Sequence, residues 1–179
     1  GILKNEPFDV SDYAQAVFAY FLRKPFGQEL GRKIKISFSS DISDTALSYI
    51  HDIGFIPLIN AQGERGFKVL VAGGLGAQPF LAQTAFEFLE VNKIIPFIEA
   101  ALRVFDRYGE RVSRHKARLK YLVNKIGLVE FLKLVAEEEI ALLEKSVPIE
   151  VKENYTAPVF KSKLPDEFPF VDQKLYEKW

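Results

Sequence analysis

Apolar residues return at helical spacing in the first ordered stretch of the chain, where Tyr13, Val17, Phe18, Phe21 and Leu22 share one face of a helix predicted over 12–22. Ser11 is placed to cap that helix, and Pro25 and Gly27 to end it. Lys33 to Phe38 then alternates strictly. Ile34, Ile36 and Phe38 fall on one face of a strand, and Lys33, Lys35 and Ser37 on the other. Asp41 or Ser43 can cap a short helix over 45–51. Two further apolar runs, 55–59 and 66–71, flank the turn-like segment 60–65 and predict a hairpin, with Pro57 marking an edge or a strand end.

A glycine-rich turn, Ala72-Gly73-Gly74-Leu75-Gly76, follows the second of these runs. From Asn92 the spacing becomes helical: Ile95, Ile98, Ala101, Leu102 and Phe105 form one apolar stripe, and Leu119, Leu122, Val123 and Ile126 another. Gly109 and Gly127 are breaks between helices, and 128–143 is a last helix carrying the acidic run Glu137-Glu138-Glu139. A few strands followed by several helices imply an α+β fold, a small mixed β-sheet packed by helices. After Lys145 the pattern changes. Pro148, Pro158, Pro165 and Pro169 stand among isolated apolar residues, so the division is a domain over 1–145 and an extended tail or strap over 146–179.

Composition narrows the chemistry. With 179 residues and 48% apolar side chains the chain can bury one real core. It has no cysteine, which removes disulfides, thiolate zinc sites, cysteine nucleophiles and iron–sulfur ligation by its own residues. His51 and His115 are its two imidazoles, neither with a ligand partner at helical spacing, so no metal site is expected within the chain. His51, and the carboxylates Asp41, Asp44 and Asp52, read as structural groups and caps. No apolar run approaches the roughly 18 to 20 residues that span a bilayer. The first residues have neither the basic nor the apolar region of a signal peptide, so a cytoplasmic protein without membrane contact is expected. A chain with no methionine that starts at glycine reads as a piece of something longer.

The 24 basic and 24 acidic residues cancel, which argues against a general polyanion or nucleic-acid binder unless the charges are segregated. They are segregated. Arg103, Arg107, Arg111, Arg114 and Arg118 step by four, four, three and four, so a single continuous helix would stack them on one face. Like charges at that spacing repel by a few tenths of a kcal/mol per pair and call for a polyanionic partner or for acids; a solvated face balanced by the acidic last helix is the plainer alternative. Lys33 and Lys35, roughly 7 Å apart on one strand face, pose the same choice between an edge strand blunted against aggregation and a grip on a small anion. Gly73, Gly74 and Gly76 match neither common phosphate motif, but they allow backbone to approach a flat or anionic ligand, as they would allow a tight turn.

Five blocks in order resemble the nitrite and sulfite reductase family of siroheme and [4Fe–4S] enzymes: 6–14, 31–39, 51–57, 66–79, and the most specific, Tyr108-Gly109-Glu110-Arg111-Val112-Ser113-Arg114-His115-Lys116-Ala117-Arg118-Leu119-Lys120-Tyr121. The resemblance implies that family's 4Fe-4S-domain-like fold and the six-electron reduction of sulfite to sulfide or nitrite to ammonia. It implies that Lys33 and Lys35 face the substrate anion as catalytic residues. It implies that Arg32, Arg111, Arg114, Arg118 and Lys120 lie at siroheme carboxylates, and that the turn of Gly73, Gly74 and Gly76 lies against the macrocycle. Guanidinium and ammonium groups suit such a ligand, because they make charge-assisted bonds to carboxylates.

The departures are informative too. The family's cluster is held by four cysteines in a C-terminal half, and further anion-binding arginines precede the equivalent of residue 1. A central siroheme-binding fragment is therefore expected, inactive alone, completed by N- and C-terminal parts and supplied by a ferredoxin or flavoprotein electron donor. Gly31 replaces a proline common in the family, and Ala72 replaces the first glycine of a triple-glycine turn. The rival reading is a stand-alone, non-redox binding module that uses the basic segment for a nucleic acid or an acidic partner.

Overall fold

The computed structural model describes residues 6–22 and 24–152. Helix α1 (Ser11–Leu22) and the short α2 (Pro25–Gln28) precede strand β1 (Ile36–Phe38). Strands β2 (Ile53–Ile59), β3 (Arg65–Val71) and β4 (Gln83–Glu90) follow, then helices α3 (Ile94–Tyr108), α4 (Leu119–Ile126) and α5 (Leu128–Ala141). The sheet runs in the order β1-β2-β3-β4, with β1 parallel to β2 and the other pairs antiparallel, which makes it a mixed sheet packed by helices as expected. Among the described residues no helix is long and apolar enough to cross a membrane.

The aromatic residues set the layers. Phe55 and Phe67, on β2 and β3, are fully buried. Phe38 stacks on Phe55 at 4.7 Å, and Phe8, Tyr13 and Phe38 meet the Phe67 ring edge-on at 5.2 to 5.6 Å. Each such pair adds about 0.5–1.5 kcal/mol beyond simple burial, so this cluster fastens α1 to the sheet. Helix α3 is the central support: Ile94, Ile98, Val104 and Phe105 have no exposed surface, and Pro96 sits in its first turn, where no intrahelical amide is lost. Tyr20 ties α1 to α3 by donating to Glu99 Oε2 at 2.5 Å.

Several local expectations change. Asp9, and not Ser11, supplies the side-chain acceptor at the start of α1, taking the Ser11 amide at 2.9 Å. Pro25 opens α2. The helix expected over 45–51 shortens to one 3-10 turn, Ser48–Ile50, because Asp44 captures the Ser48 amide at 2.8 Å and Leu47 turns to a left-handed φ of 53°. Ser37, expected beside the lysines on the open face, is buried and donates to Ser48 at 3.1 Å.

Pro57 lies inside β2. The Ile53 amide and the Phe55 carbonyl both point towards β1, so by strand parity the Pro57 nitrogen points the same way. Strand β1 ends at Phe38, opposite Phe55, and leaves no ladder bond there for proline to break. Strand β4 was not predicted. It is half-exposed, and its pairing with β3 shifts register twice between Phe67 and Leu70, which erases the period-two pattern. Segment 146–152 crosses back over the body: the Val147 amide bonds the Asn92 carbonyl, and the Lys152 amide bonds Asp12 Oδ2. Residues 153–179 of the expected tail lie outside the described residues.

Candidate anion site

The basic run is not one helix. Helix α3 ends at Tyr108, the Gly109 amide closing on the Phe105 carbonyl at 2.9 Å. Arg111 follows in irregular backbone, Arg114 opens a 3-10 turn, and Arg118 stands at the N-terminus of α4. The single arginine face is thereby corrected. Arg103 and Arg107, still on α3, bond Glu99 and Glu138, so acids answer these two cations. The sharp turn after α3 is ordered by Glu110, whose Oε1 accepts the amides of Val112 at 2.6 Å and Ser113 at 3.1 Å. Those backbone bonds, that of Ser113 foremost, hold the Glu110 carboxyl below the usual carboxylate range.

This break turns Arg111, Arg114 and Arg118 away from one line and onto two adjoining clefts. The larger, of about 690 Å³, is lined by Gly31, Arg32, Lys33, Glu110, Arg111 and Arg114 among others. The second, of about 460 Å³, includes Arg32, Gly76, Gln78, His115, Arg118 and Lys120. Arg32 borders both. The first cleft therefore sets four cations against one carboxylate. Arg111 is steadied by Asp106, donating to its Oδ1 at 2.7 Å. Lys35 is exposed but lines neither cleft, and Gly73 and Gly74 are buried behind the second one.

The glycine-rich turn is a built loop. Gly74 and Phe80 exchange backbone bonds of 2.9 Å, closing 74–80 at its base. A side chain at Gly73 would strike the His51 carbonyl at 2.6 Å, and one at Gly74 would strike the Arg118 guanidinium at 2.8 Å. Gly76 has φ of 116°, open to glycine alone at low cost. Lys120, only 2% exposed, reaches under this loop and donates to the carbonyls of Gly74, Leu75 and Gln78 at 3.4, 3.2 and 2.5 Å. An ammonium has three N–H donors, and three carbonyls meet them. Burial, then the Arg118 charge, lower the pKa of Lys120, and Asp52 opposes them.

Asp52, read from sequence as a cap, is the group that reading missed. It is fully buried between β1 and α4, and its Oδ2 accepts both the Lys35 amide at 3.0 Å and Arg118 Nη2 at 2.9 Å. The available signal was its place: a carboxylate heading the almost wholly apolar strand Ile53–Ile59 must be paired to be buried at all. His51 keeps a structural role, its Nδ1 lying 2.8 Å from the Leu47 carbonyl. Arg32 Nε and Arg118 Nε are buried without a protein partner. Guanidinium donors of this kind suit a carboxylate-bearing or small oxyanion ligand.

A family model described as the nitrite and sulphite reductase 4Fe-4S domain matches residues 1–142. The chain belongs to this family. The sulfite reductase [NADPH] hemoprotein beta-component of Nitrobacter hamburgensis is 34% identical over 125 residues, covering 65% of this chain and 21% of that protein. Sulfite reductase [ferredoxin] 1 of Mycolicibacterium paratuberculosis is 30% identical over 152 residues, covering 83% and 27%. The structure of the NirA protein of Mycobacterium tuberculosis superposes with a TM-score of 0.71 at 27% identity, covering 89% of this chain and 28% of that one. A dissimilatory sulfite reductase I shares the fold, with a TM-score of 0.58 at 11% identity, covering 99% and 58%. This member of the nitrite and sulphite reductase family spans about a quarter of the length of the curated relatives it matches.

Proposed function

We propose that this chain is the part of a siroheme-dependent reductase that grips the cofactor and the substrate anion, in a cytoplasmic enzyme that reduces sulfite to sulfide or nitrite to ammonia by six electrons. The observation that carries this reading is the gathering of Arg32, Lys33, Arg111 and Arg114 on one cleft beside a second cleft that holds Arg118, with Arg32 common to both.

The residues fit a polycarboxylate macrocycle, since two of their guanidinium Nε atoms are buried with no protein acceptor. Arg32, Arg111, Arg114 and Arg118 would hold its carboxylates by charge-assisted bonds, and Gly76, the exposed glycine of the turn, would leave room for its flat face, with Gly73 and Gly74 seating the turn on the protein behind it. Siroheme, when bound, would supply the electrons for reducing the anion. Lys33 and Lys35 would attract that anion and hold protons at Nζ for its reduction. Lys120, with its donors spent on loop carbonyls, would shape the wall and not meet a carboxylate itself.

No cysteine is present, so these residues offer no thiolate to a [4Fe–4S] cluster, and its ligands would lie in other parts of the protein. Electrons would come from a ferredoxin or flavoprotein donor. The test is to express the full-length protein that carries this segment and follow methyl viologen oxidation with sulfite and with nitrite. Lys33→Ala combined with Lys35→Ala is expected to lower turnover by at least about tenfold, within the range for a lost proton donor. Unchanged turnover would remove the lysines from the chemistry. A protein without a siroheme spectrum that binds nucleic acid with steep salt dependence would replace the reductase by a binding module.

A further inference from the structure

Three segments bear the cations and glycines of the proposed site, and one residue joins all three. The Asp52 side chain accepts the amide of Lys35, between the two lysine side chains' backbone positions, at 3.0 Å. The same oxygen accepts Arg118 Nη2 at 2.9 Å, at the start of α4. The Asp52 carbonyl accepts the Ala72 amide at 2.8 Å, where the glycine-rich loop begins. Sequence distance between these partners is large, and Asp52 is wholly buried, its other carboxylate oxygen, Oδ1, having no protein partner among the described residues. The arrangement also fixes Arg118 against Gly74, whose missing side chain leaves the guanidinium its place.

We propose that Asp52 is a positioning residue for anion binding, its side chain setting the spacing between the Lys33–Lys35 segment and Arg118. The proposal rests on the reading of the two clefts as an anion site. Its sign can be tested. Asp52 is itself negative, so a purely Coulombic influence repels an anion, and neutralising it tightens binding. Loss of a positioning contact weakens binding, since a cation held loosely pays its ordering cost when the ligand arrives. A role in stability alone lowers the melting temperature and leaves affinity where it was.

The experiment titrates the 179-residue chain with nitrite and with sulfite at low ionic strength, reading the NMR signals of Lys33, Lys35 and Arg118, with thermal melts alongside. Asp52→Asn, which keeps the shape and a weaker acceptor, is expected to weaken both anions about tenfold, the low end of what losing a supporting contact costs at metal sites. The Lys35 amide is expected to exchange with solvent faster in the same variant. Should Asp52→Asn fail to fold, Asp52→Glu keeps the charge but misplaces it by one methylene, and the same weakening is expected. Unchanged or tighter binding in the folded variant overturns the proposal, and so does a wild-type chain that binds neither anion. Failure of the full-length protein to reduce either anion overturns the reductase reading alone, because the Asp52 measurement rests on binding by this chain.

Discussion

Arg118 Nη2 donates to Asp52 Oδ2 across 2.9 Å, joining the start of α4 to the head of β2 through a carboxylate with no exposed surface. Removing one partner of such a pair strands the other charge. Arg118→Met, which keeps much of the side-chain volume, is expected to destabilise the chain by about 3 kcal/mol. Thermal denaturation should show this as a fall of roughly 6–12 °C for a chain of this size. A fall of less than about 2 °C would mean that Asp52 is not held by Arg118.

Two glycines border arginines, and they should respond differently to alanine. At Gly74 the new methyl group meets the Arg118 guanidinium, which is pinned by Asp52 and 18% exposed. Gly74→Ala is therefore expected to cost about 1–2 kcal/mol, read by urea denaturation. At Gly31 the methyl group meets Nη1 of Arg111, which is twice as exposed and is paired through Nη2 with an exposed carboxylate, Asp106. Gly31→Ala is expected to stay within about 0.5 kcal/mol of wild type, so equal costs at both positions would contradict the pinned geometry.

Lys120 should give a pH signature. Its pKa is lowered from the ordinary 10.5 by burial first and by Arg118 second. Between that lowered value and 10.5 the unfolded chain binds a proton that the folded chain has released, so stability rises with pH across this window. Below the window both states carry the proton and the contribution is level. Denaturation of wild type and Lys120→Met at a series of alkaline pH values should show wild type gaining on the variant as pH climbs. Parallel curves would show that burial under the loop does not strain the ammonium.

Leu47 holds a left-handed φ of 53° while its side chain is 60% exposed, so it carries backbone strain with little burial in return. Leu47→Gly is expected to stabilise the chain by about 0.5–1 kcal/mol, seen as a higher melting temperature. A lower melting temperature would show that its side chain does more than the exposure indicates.

Where local pattern and tertiary contact agreed, the sequence was readable. The stripes at Ile95, Ile98 and Phe105 and at Leu119 and Leu122 face the core as the helical period requires, and so do Tyr13 and Val17, whereas Phe18 and Leu22, expected on the same face, are exposed. The 55–59 and 66–71 hairpin also formed, with the two strands paired in register from Ile53 and Val71 to Ile59 and Arg65. Strand β4 escaped because an irregular, half-exposed edge has no clean period, and it reaches β3 across the long 72–82 connection instead of a tight hairpin turn. The arginine series misled for a related reason: spacing implies a shared face only while a helix continues, and this one stops at Tyr108.

Residue order alone determined which chemistry the chain can and cannot offer: no thiolate, few imidazoles, and cations concentrated at Arg32 to Lys35 and from Arg103 onward. It also determined the family, through motifs whose residues stand in sequence order. Only the folded chain decided which of those cations are spent and which are available. Arg103 and Arg107 are answered by Glu99 and Glu138, Lys120 by loop carbonyls, Arg111 by Asp106 and Arg118 by Asp52, while Arg32, Lys33 and Arg114 line the clefts beside them. The physical reason is that a charge's partner is set by distance in space, and Asp52 and Arg118 are 66 residues apart in the chain yet 2.9 Å apart in the fold.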